Sequence, residues 1–289
     1  MSASQILLFR GPPPFFKCYY RHRRGYVAVT NLGGAEQFQQ LGPSERKRYK
    51  QAAREMIRLA EGYAIPIIFA PPLSVGGTIN GATGCIIDLD GRYCLLTASH
   101  VLEGFENRTR AGEVLNWQVG ALPPFDPLCR ITWRSTDRDL LFLRLTKDEA
   151  VAACGTGSRI VPTLTGWPPK PPTSGQVVLV AGFPRALREV TTNDQIGAGP
   201  FGAMFRIANA KEGYCDCQIE DRDLISFDDS RLPPPDADMG GLSGGPVFCM
   251  GTLSYPLIGV VTDHCRITLA EFQLLRIATL NGIADSALT

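Results

Sequence analysis

The chain has 289 residues, of which 44% are hydrophobic and 20% are charged, so it can bury a substantial core and is not a disordered tail protein. Its 29 Lys and Arg residues balance 28 Asp and Glu residues, and a formal net charge of +1 argues against attraction of nucleic acid or an anionic membrane by bulk charge. We therefore expect neither nucleic acid nor a membrane as a partner. The 30 glycines and 22 prolines favour a fold with many tight turns.

The start of the sequence lacks the pattern of an export signal, because its apolar stretch at residues 6–9 is short and no basic segment precedes it. We expect a cytoplasmic protein whose nine cysteines are reduced thiols. Cys215 and Cys217 have no second pair at zinc-finger spacing, so we expect no metal site, and we expect no cofactor.

Residues 1–74 differ in texture from the rest and are predicted to form an N-terminal extension. The extension is predicted to contain a helix over residues 45–62, with Ser44 as its N-cap and Gly62 as its stop. The Arg and Lys side chains of this helix are expected to form a solvated face.

From Val75 onward, short β-branched runs alternate with Gly, Pro, Asn and Asp. A hairpin is expected to turn at Asp90 and Gly91, between residues 84–89 and 93–97. Many short strands separated by turn signals predict an all-β sandwich or barrel. Further strands are expected at residues 131–133, 139–145, 176–181, 202–208, 246–250 and 257–262. The Pro-rich residues 165–172 are expected to link two halves.

Three side chains of complementary chemistry occur in this strand-rich part. His100, one of three histidines, follows an apolar strand, Asp139 opens an apolar run, and Ser243 lies in the glycine-rich residues 240–246. Acyl transfer needs a nucleophile, a base, a carboxylate that orients the base, and N–H donors for the oxyanion. A lone His, a lone Asp or a glycine-rich turn is weak evidence, but the combination predicts a catalytic triad.

Other residues could fill these roles. Asp137 lies two positions before Asp139 and could orient the histidine instead, although the apolar run follows Asp139 directly. Cys249 and Cys265 could act as thiol nucleophiles, but neither sits in a glycine-rich turn. We therefore favour Ser243 and Asp139.

In these motifs the sequence resembles the trypsin-like serine peptidases of the chymotrypsin fold, closer to the bacterial and HtrA-like branches than to the digestive enzymes. Residues 97–100 resemble the family's histidine motif, residues 139–141 its aspartate motif, and residues 241–246 its G-x-S-G-G-P serine motif. The resemblance covers roughly residues 75–267 and leaves the first quarter of the chain unexplained.

The resemblance implies an all-β fold of two packed six-stranded antiparallel barrels, over residues 75–160 and 161–289. It implies a short C-terminal helix within residues 270–283. The site would lie between the barrels, with His100 and Asp139 from the first barrel and Ser243 from the second.

The implied activity is that of a serine endopeptidase acting on a protein or peptide substrate. The N–H groups of Gly241 and Ser243 would form the oxyanion hole, and Thr262 would support the aspartate. The family's specificity pocket falls near residues 235–239, where Asp236 or Asp238 would select Arg or Lys by charge pairing. His264 near the pocket wall would instead favour an acidic or polar side chain.

Control is expected to differ from that of digestive trypsins. Leu242 stands where those enzymes carry an aspartate that pairs with a freed N-terminus. The natural candidates for control are residues 1–74 or a partner protein that orders the loops around Gly241. The short segment after Ser243 is expected to hold no peptide-binding domain.

Two other functions would use the same residues. One is a latent or inactive binding or scaffold protein with a collapsed glycine-rich loop. An intact triad argues against this function. The other is a serine esterase, which peptide and ester turnover would distinguish.

Overall fold

The computed structural model describes residues 19–20, 24–28, 35–72, 77–162, 167–192, 195–220, 224–226, 239–250, 255–267 and 272–284. These residues are mostly β. The strands are β1 (Tyr19–Tyr20), β2 (Arg24–Ala28), β3 (Ile65–Ala70), β4 (Asn80–Leu89), β5 (Arg92–Thr97), β6 (Asn116–Val119), β7 (Ile131–Ser135), β8 (Leu140–Leu145), β9 (Val177–Gly182), β10 (Arg188–Thr192), β11 (Gln195–Ala198), β12 (Phe201–Lys211), β13 (Tyr214–Glu220), β14 (Leu224–Ser226), β15 (Pro246–Cys249), β16 (Leu257–Ile267) and β17 (Phe272–Thr279). The helices are α1 (Ala35–Gln40), α2 (Pro43–Glu61), α3 (Ser99–Arg110) and α4 (Lys147–Cys154), and two 3₁₀ turns cover Pro127–Arg130 and Arg185–Leu187.

A closed barrel of six strands forms most of the second half of the chain. Its order is β9, β12, β13, β17, β16 and β15, with each strand antiparallel to the next and β15 pairing back with β9. Apolar side chains such as Val180, Phe205 and Ile277 are buried in this part of the molecule. Strand β2 extends the sheet by pairing in parallel with β12, and β14 pairs with β2.

The first half contributes an antiparallel sheet of six strands in the order β6, β3, β4, β5, β8 and β7. The predicted hairpin between β4 and β5 is confirmed, with Asp90 and Gly91 at φ values of 52° and 85°. Positive φ at both central residues suits the twist of paired strands. Strand β3 comes from the segment assigned to the N-terminal extension, so this sheet begins before Val75.

The prediction of two six-stranded barrels is met in part. The second unit is a closed ring, whereas the first is a sheet of six strands in which no pairing between the edge strands β6 and β7 occurs among the described residues. All six further strands expected from the sequence are present, with bounds that differ by a few residues.

The predicted C-terminal helix is wrong. Residues 272–279 form β17, which pairs with both β13 and β16 and completes the ring. The side chains of Leu275 and Ile277 are buried and that of Arg276 between them is exposed, which is the two-residue period of a strand. Closure of the barrel therefore determines the conformation of this segment.

The predicted helix in the extension is confirmed as α2, beginning two residues earlier than expected. Gly42 rather than Ser44 is its N-cap, and the Gly42 N–H donates to the Glu45 carboxylate at 3.0 Å. Ile57 on its buried face packs on the closed barrel, where a Cβ added at Gly202 of β12 would lie 2.3 Å from Ile57 Cγ2. No helix within the described ranges is long and apolar enough to span a membrane.

Candidate active site

His100 and Asp139 are in direct contact. His100 lies in the first turn of α3, and its Nδ1 is 2.7 Å from Asp139 Oδ2. The other carboxylate oxygen accepts the backbone N–H of His100 at 2.8 Å, and the Asp139 carbonyl accepts the N–H of Ser99 at 3.2 Å. Because the N-cap residue Ala98 has no side-chain acceptor, Asp139 satisfies the exposed N–H groups at the start of α3 while it orients the imidazole.

Asp139 adopts an unusual backbone conformation. Its φ is 53°, in the left-handed region that costs a non-glycine residue free energy, and its N–H donates to the Thr136 carbonyl in the turn before β8. Asp137, two residues earlier, is exposed and makes no described contact with His100. The structure thus brings Asp139, and not Asp137, to the histidine.

The charge state of His100 is governed mainly by Asp139. The hydrogen bond to Asp139 raises the imidazole pKa above its ordinary value of 6.5, and burial opposes this shift to a lesser degree. The negative charges of Asp139, Glu103 and Asp263 add to the increase. Asp263, on β16, is a neighbour of the site that no sequence motif indicated.

Ser243 lies in a tight turn that leads into β15. Gly244 has a φ of 83°, and a Cβ there would lie 1.9 Å from the Thr83 carbonyl oxygen. A Cβ at Gly245 would lie 2.2 Å from the Ala181 carbonyl oxygen. The glycines therefore allow the turn to approach both sheets closely enough to place Ser243 at their junction.

Ser243 and His100 line the same cleft, which has a volume of about 210 Å³. The Ser243 hydroxyl donates a long hydrogen bond of 3.5 Å to the Thr262 carbonyl. In this rotamer the hydroxyl is directed at β16, and a turn about its Cα–Cβ bond changes that direction.

The peptide group between Gly240 and Gly241 has a defined orientation. The Gly240 carbonyl accepts the Arg185 N–H at 2.6 Å. Since the C=O and N–H of a trans peptide point in opposite directions, the Gly241 N–H points away from Arg185. Within the described part of the chain, neither Gly241 nor Ser243 donates its N–H to a backbone carbonyl. Two such N–H groups in one turn are suited to bind an anionic oxygen.

A chain of hydrogen bonds joins the strand before His100 to the turn that holds Ser243. The Thr97 hydroxyl donates to the Thr83 carbonyl at 2.7 Å, and the Thr83 hydroxyl donates to the Gly241 carbonyl at 2.7 Å. The Thr83 N–H donates to the Ser243 carbonyl at 2.9 Å. Thr83, which lies in no sequence motif, therefore links the two parts of the site.

Helix α3 is anchored by an arginine that also lies in no sequence motif. Arg134 Nε donates to the Ser99 hydroxyl at 2.9 Å. The same guanidinium forms ion pairs with Glu106 at 2.9 Å and Glu103 at 3.3 Å. These contacts hold the helix turn that carries His100 against β7.

Of the remaining predicted site residues, Thr262 and His264 make contacts other than the expected ones. Thr262 accepts the Ser243 hydroxyl through its carbonyl, but its own hydroxyl donates to the Arg276 carbonyl at 3.5 Å rather than to Asp139. His264, also on β16, has its Nε2 2.7 Å from Oε1 of Gln273. The pocket candidates Asp236 and Asp238 lie outside the described residues.

The described cysteine thiols that could compete with Ser243 lack the surroundings of nucleophiles. Burial raises the pKa of Cys154 to about 11 and that of Cys215 to about 12, and it also raises the pKa of Cys249. Cys265 is exposed on a strand. The described residues contain no group of three or more His, Cys, Asp or Glu side chains that could hold a metal ion.

No protein-family model matches the sequence, and no curated protein matches it. Solved structures do match. The active form of the Rv3671c protease from M. tuberculosis is 17% identical, with a TM-score of 0.40 over 78% of this chain and 79% of that one. The thermostable serine protease AL20 from an extremophilic microorganism is 13% identical, with a TM-score of 0.45 over 79% of this chain and 95% of that one.

The predicted resemblance to trypsin-like serine peptidases is confirmed at the level of fold by the chain's own architecture. A closed six-stranded barrel carries Ser243, a second six-stranded sheet carries His100 and Asp139, and the three residues lie where the two sheets meet.

Proposed function

We propose that the chain is a serine endopeptidase that cleaves peptide bonds through an acyl-enzyme. The observation that carries this proposal is the 2.7 Å contact between His100 Nδ1 and Asp139, at a cleft that Ser243 also lines. A carboxylate on Nδ1 leaves Nε2 of the ring to accept a proton.

In the first step, the Ser243 hydroxyl turns from the Thr262 carbonyl toward His100, and its oxygen attacks the substrate carbonyl carbon. His100 takes the hydroxyl proton, and Asp139 stabilises the imidazolium. The carbonyl oxygen becomes an oxyanion, which accepts hydrogen bonds from the N–H groups of Gly241 and Ser243. His100 then donates the proton to the leaving amine as the peptide C–N bond breaks.

In the second step, water replaces the amine. His100 removes a proton from the water, whose oxygen attacks the acyl carbon. The oxyanion forms again at the same two N–H groups, and collapse of the intermediate returns the proton to Ser243 and releases the new carboxylic acid. No metal or cofactor takes part in this scheme.

The alternative is a latent or inactive protein of the same fold, used for binding. The orientation of the Ser243 hydroxyl toward Thr262 favours it. The orientation of the Gly240 carbonyl toward Arg185 favours catalysis, because it leaves the Gly241 N–H on the opposite side of the peptide. We give the second observation more weight, since a hydroxyl changes rotamer more readily than a hydrogen-bonded peptide turns over.

Several finer features belong to the same proposal. We infer that the first sheet corresponds to the first of two packed barrels, and that the enzyme acts in the cytoplasm.

Asp236 or Asp238 would select a basic substrate side chain, or His264 would select an acidic or polar one. Control would act through residues 1–74, part of which, the helix α2, packs on the second barrel.

Cleavage of a mixed peptide library tests the proposal. Wild type, Ser243→Ala and His100→Ala are incubated with the library and the products are identified by mass spectrometry. We expect internal cleavages by wild type that both variants lack. A wild-type protein that hydrolyses small esters and no peptide would instead identify an esterase, and cleavage by all three proteins would refute the assignment.

A further inference from the structure

Two arginines lie on one side of the candidate active-site cleft. Arg185 and Arg188 line it together with His100 and Ser243. No Asp or Glu is among the described residues of this lining. Two guanidinium groups therefore belong to the same cleft as His100 and Ser243.

The Arg188 side chain is held in a defined position between the two sheets. Its Nη2 donates to the Phe183 carbonyl at 3.1 Å. A Cβ built on Gly241 would lie 1.7 Å from Nη2, and one built on Gly81 would lie 2.6 Å from Cζ. The guanidinium thus occupies the space that side chains at these two glycines would fill.

The position of His100 indicates which part of a substrate enters this cleft. The leaving amine has to lie against His100, because His100 protonates it. Thr262 contacts Ser243, and Asp263 acts on His100, yet neither is among the described residues that line the cleft. We therefore place the acyl segment of the substrate on the β16 side of Ser243. The segment that follows the cleaved bond then enters the cleft.

Building on the proposed function, we propose that Arg188 and Arg185 select substrates that carry a carboxylate just after the cleaved bond. A guanidinium presents its N–H donors in a planar fork that matches a carboxylate. Arg188 is the main determinant because its guanidinium is held in place, and Arg185, which is exposed, adds charge at the rim. The carboxylate comes either from an Asp or Glu side chain or from the C-terminus of a substrate that ends there.

Acyl transfer tests this inference without knowledge of the acyl-side preference. p-Nitrophenyl acetate acetylates Ser243 and releases p-nitrophenol. The acetyl ester then breaks by attack of water, giving acetate, or by attack of the amine of an added dipeptide, giving an N-acetyl dipeptide. The amine proton passes through His100 to the Ser243 oxygen, so the added dipeptide occupies the leaving-group site.

The nucleophiles are chosen as matched pairs. Glu-Ala amide is compared with Gln-Ala amide, and Ala-Glu amide with Ala-Gln amide, so that only the side-chain charge differs. Ala-Gln with a free C-terminal carboxylate is compared with Ala-Gln amide, which tests the C-terminus as the source of the carboxylate. The yield of N-acetyl dipeptide relative to acetate is measured for each nucleophile.

For at least one source of carboxylate, we expect wild type to transfer acetyl to the dipeptide that carries the carboxylate roughly five- to tenfold better than to the matched neutral dipeptide. Arg188→Gln should bring this ratio close to one, Arg188→Lys should keep part of it, and Arg185→Gln should reduce it. The control Arg144→Gln, an exposed arginine on β8 outside the described lining, should keep the wild-type ratio.

Ratios near one for all nucleophiles in wild type would overturn the inference, as would a preference that Arg188→Gln and Arg185→Gln leave unchanged. An equal loss with charged and neutral nucleophiles would also overturn it, because Arg188 would then act on the chemistry of Ser243. The burst of p-nitrophenol separates the two hypotheses. A burst without selectivity refutes the carboxylate site alone, whereas a wild type without a burst, indistinguishable from Ser243→Ala, refutes the proposed function.

Discussion

The Thr83 hydroxyl donates a hydrogen bond of 2.7 Å to the Gly241 carbonyl, across the junction of the two sheets. The same hydroxyl accepts the Phe183 N–H at 2.9 Å, and the Thr83 N–H donates to the Ser243 carbonyl at 2.9 Å. One residue of the first sheet therefore fixes the two peptide groups that follow Gly241 and Ser243. The turn that presents the two proposed oxyanion donors is therefore held by the sheet whose strand β5 leads into His100.

Replacing Thr83 tests this connection. Thr83→Val keeps the side-chain shape but leaves the Gly241 carbonyl and the Phe183 N–H without their partner. We expect a loss of about 1–3 kcal/mol in the free energy of unfolding and at least about a tenfold loss of ester turnover. Urea unfolding and burst kinetics measure the two effects, with Thr83→Ser as the control that retains the hydroxyl. Wild-type turnover and stability in Thr83→Val would contradict the described role.

The choice of orienting acid is tested by two matched substitutions. Asp139→Asn removes the carboxylate that accepts from His100, and we expect turnover to fall by about 10⁴. Asp137→Asn changes an exposed residue two positions away and should leave turnover near that of wild type. Peptide and ester turnover are compared at saturating substrate. Equal losses in the two variants, or a larger loss in Asp137→Asn, would show that Asp139 is not the orienting acid.

The pH dependence follows from the raised pKa of His100. The base must be neutral to accept the Ser243 proton, so the acid limb of kcat/KM should have its midpoint above 6.5. Asp139→Asn should move this midpoint down. A wild-type midpoint below 6.5 would contradict the contact.

The same shift affects stability. Because the pKa of His100 is higher in the folded than in the unfolded state, its contact with Asp139 stabilises the fold fully below pH 6.5. This contribution is lost as the pH rises through the folded-state pKa.

Two glycines of the turn should respond differently to alanine. A Cβ at Gly241 would lie 1.7 Å from Nη2 at the end of the Arg188 side chain and 3.0 Å from the Phe183 carbonyl oxygen. Because the φ of 92° also disfavours alanine, we expect a folded protein with turnover reduced by about 10²–10³. A Cβ at Gly244 would lie 1.9 Å from the Thr83 carbonyl oxygen and 2.1 Å from Thr97 Oγ1. Gly244→Ala should therefore lose roughly 3 kcal/mol of stability. Thermal unfolding beside turnover separates the two effects, and a Gly241→Ala variant as active as wild type would argue against the oxyanion role.

The three central side chains could be predicted from the sequence because each lies in a local pattern. His100 follows an apolar strand, Asp139 precedes one, and Ser243 lies among glycines. The helix after His100 has no local start signal, since its N-cap Ala98 offers no capping side chain. Its start is stabilised by Asp139, which is distant in sequence, and local reasoning does not detect such a contact.

Tertiary contacts also explain the wrong prediction for residues 272–279 and the two site residues that no motif contains. Residues 272–279 carry apolar side chains at spacings that fit a helix or a strand, and pairing with β13 and β16 decides between them. Thr83 and Arg188 are single residues without a motif, and they reach the site only because the two sheets meet there. Sequence patterns indicated the reacting groups, whereas the residues that position them depend on tertiary structure.

The proposal that Ser243 is an activated nucleophile is tested most directly by covalent labelling with a fluorophosphonate probe. Purified wild type and Ser243→Ala are treated with the probe, and adducts are counted by intact mass. We expect a single adduct on wild type and none on Ser243→Ala, because only a serine served by a base reacts with the probe. A wild type that stays unlabelled, or a Ser243→Ala variant that is labelled equally well, would contradict the proposed active site.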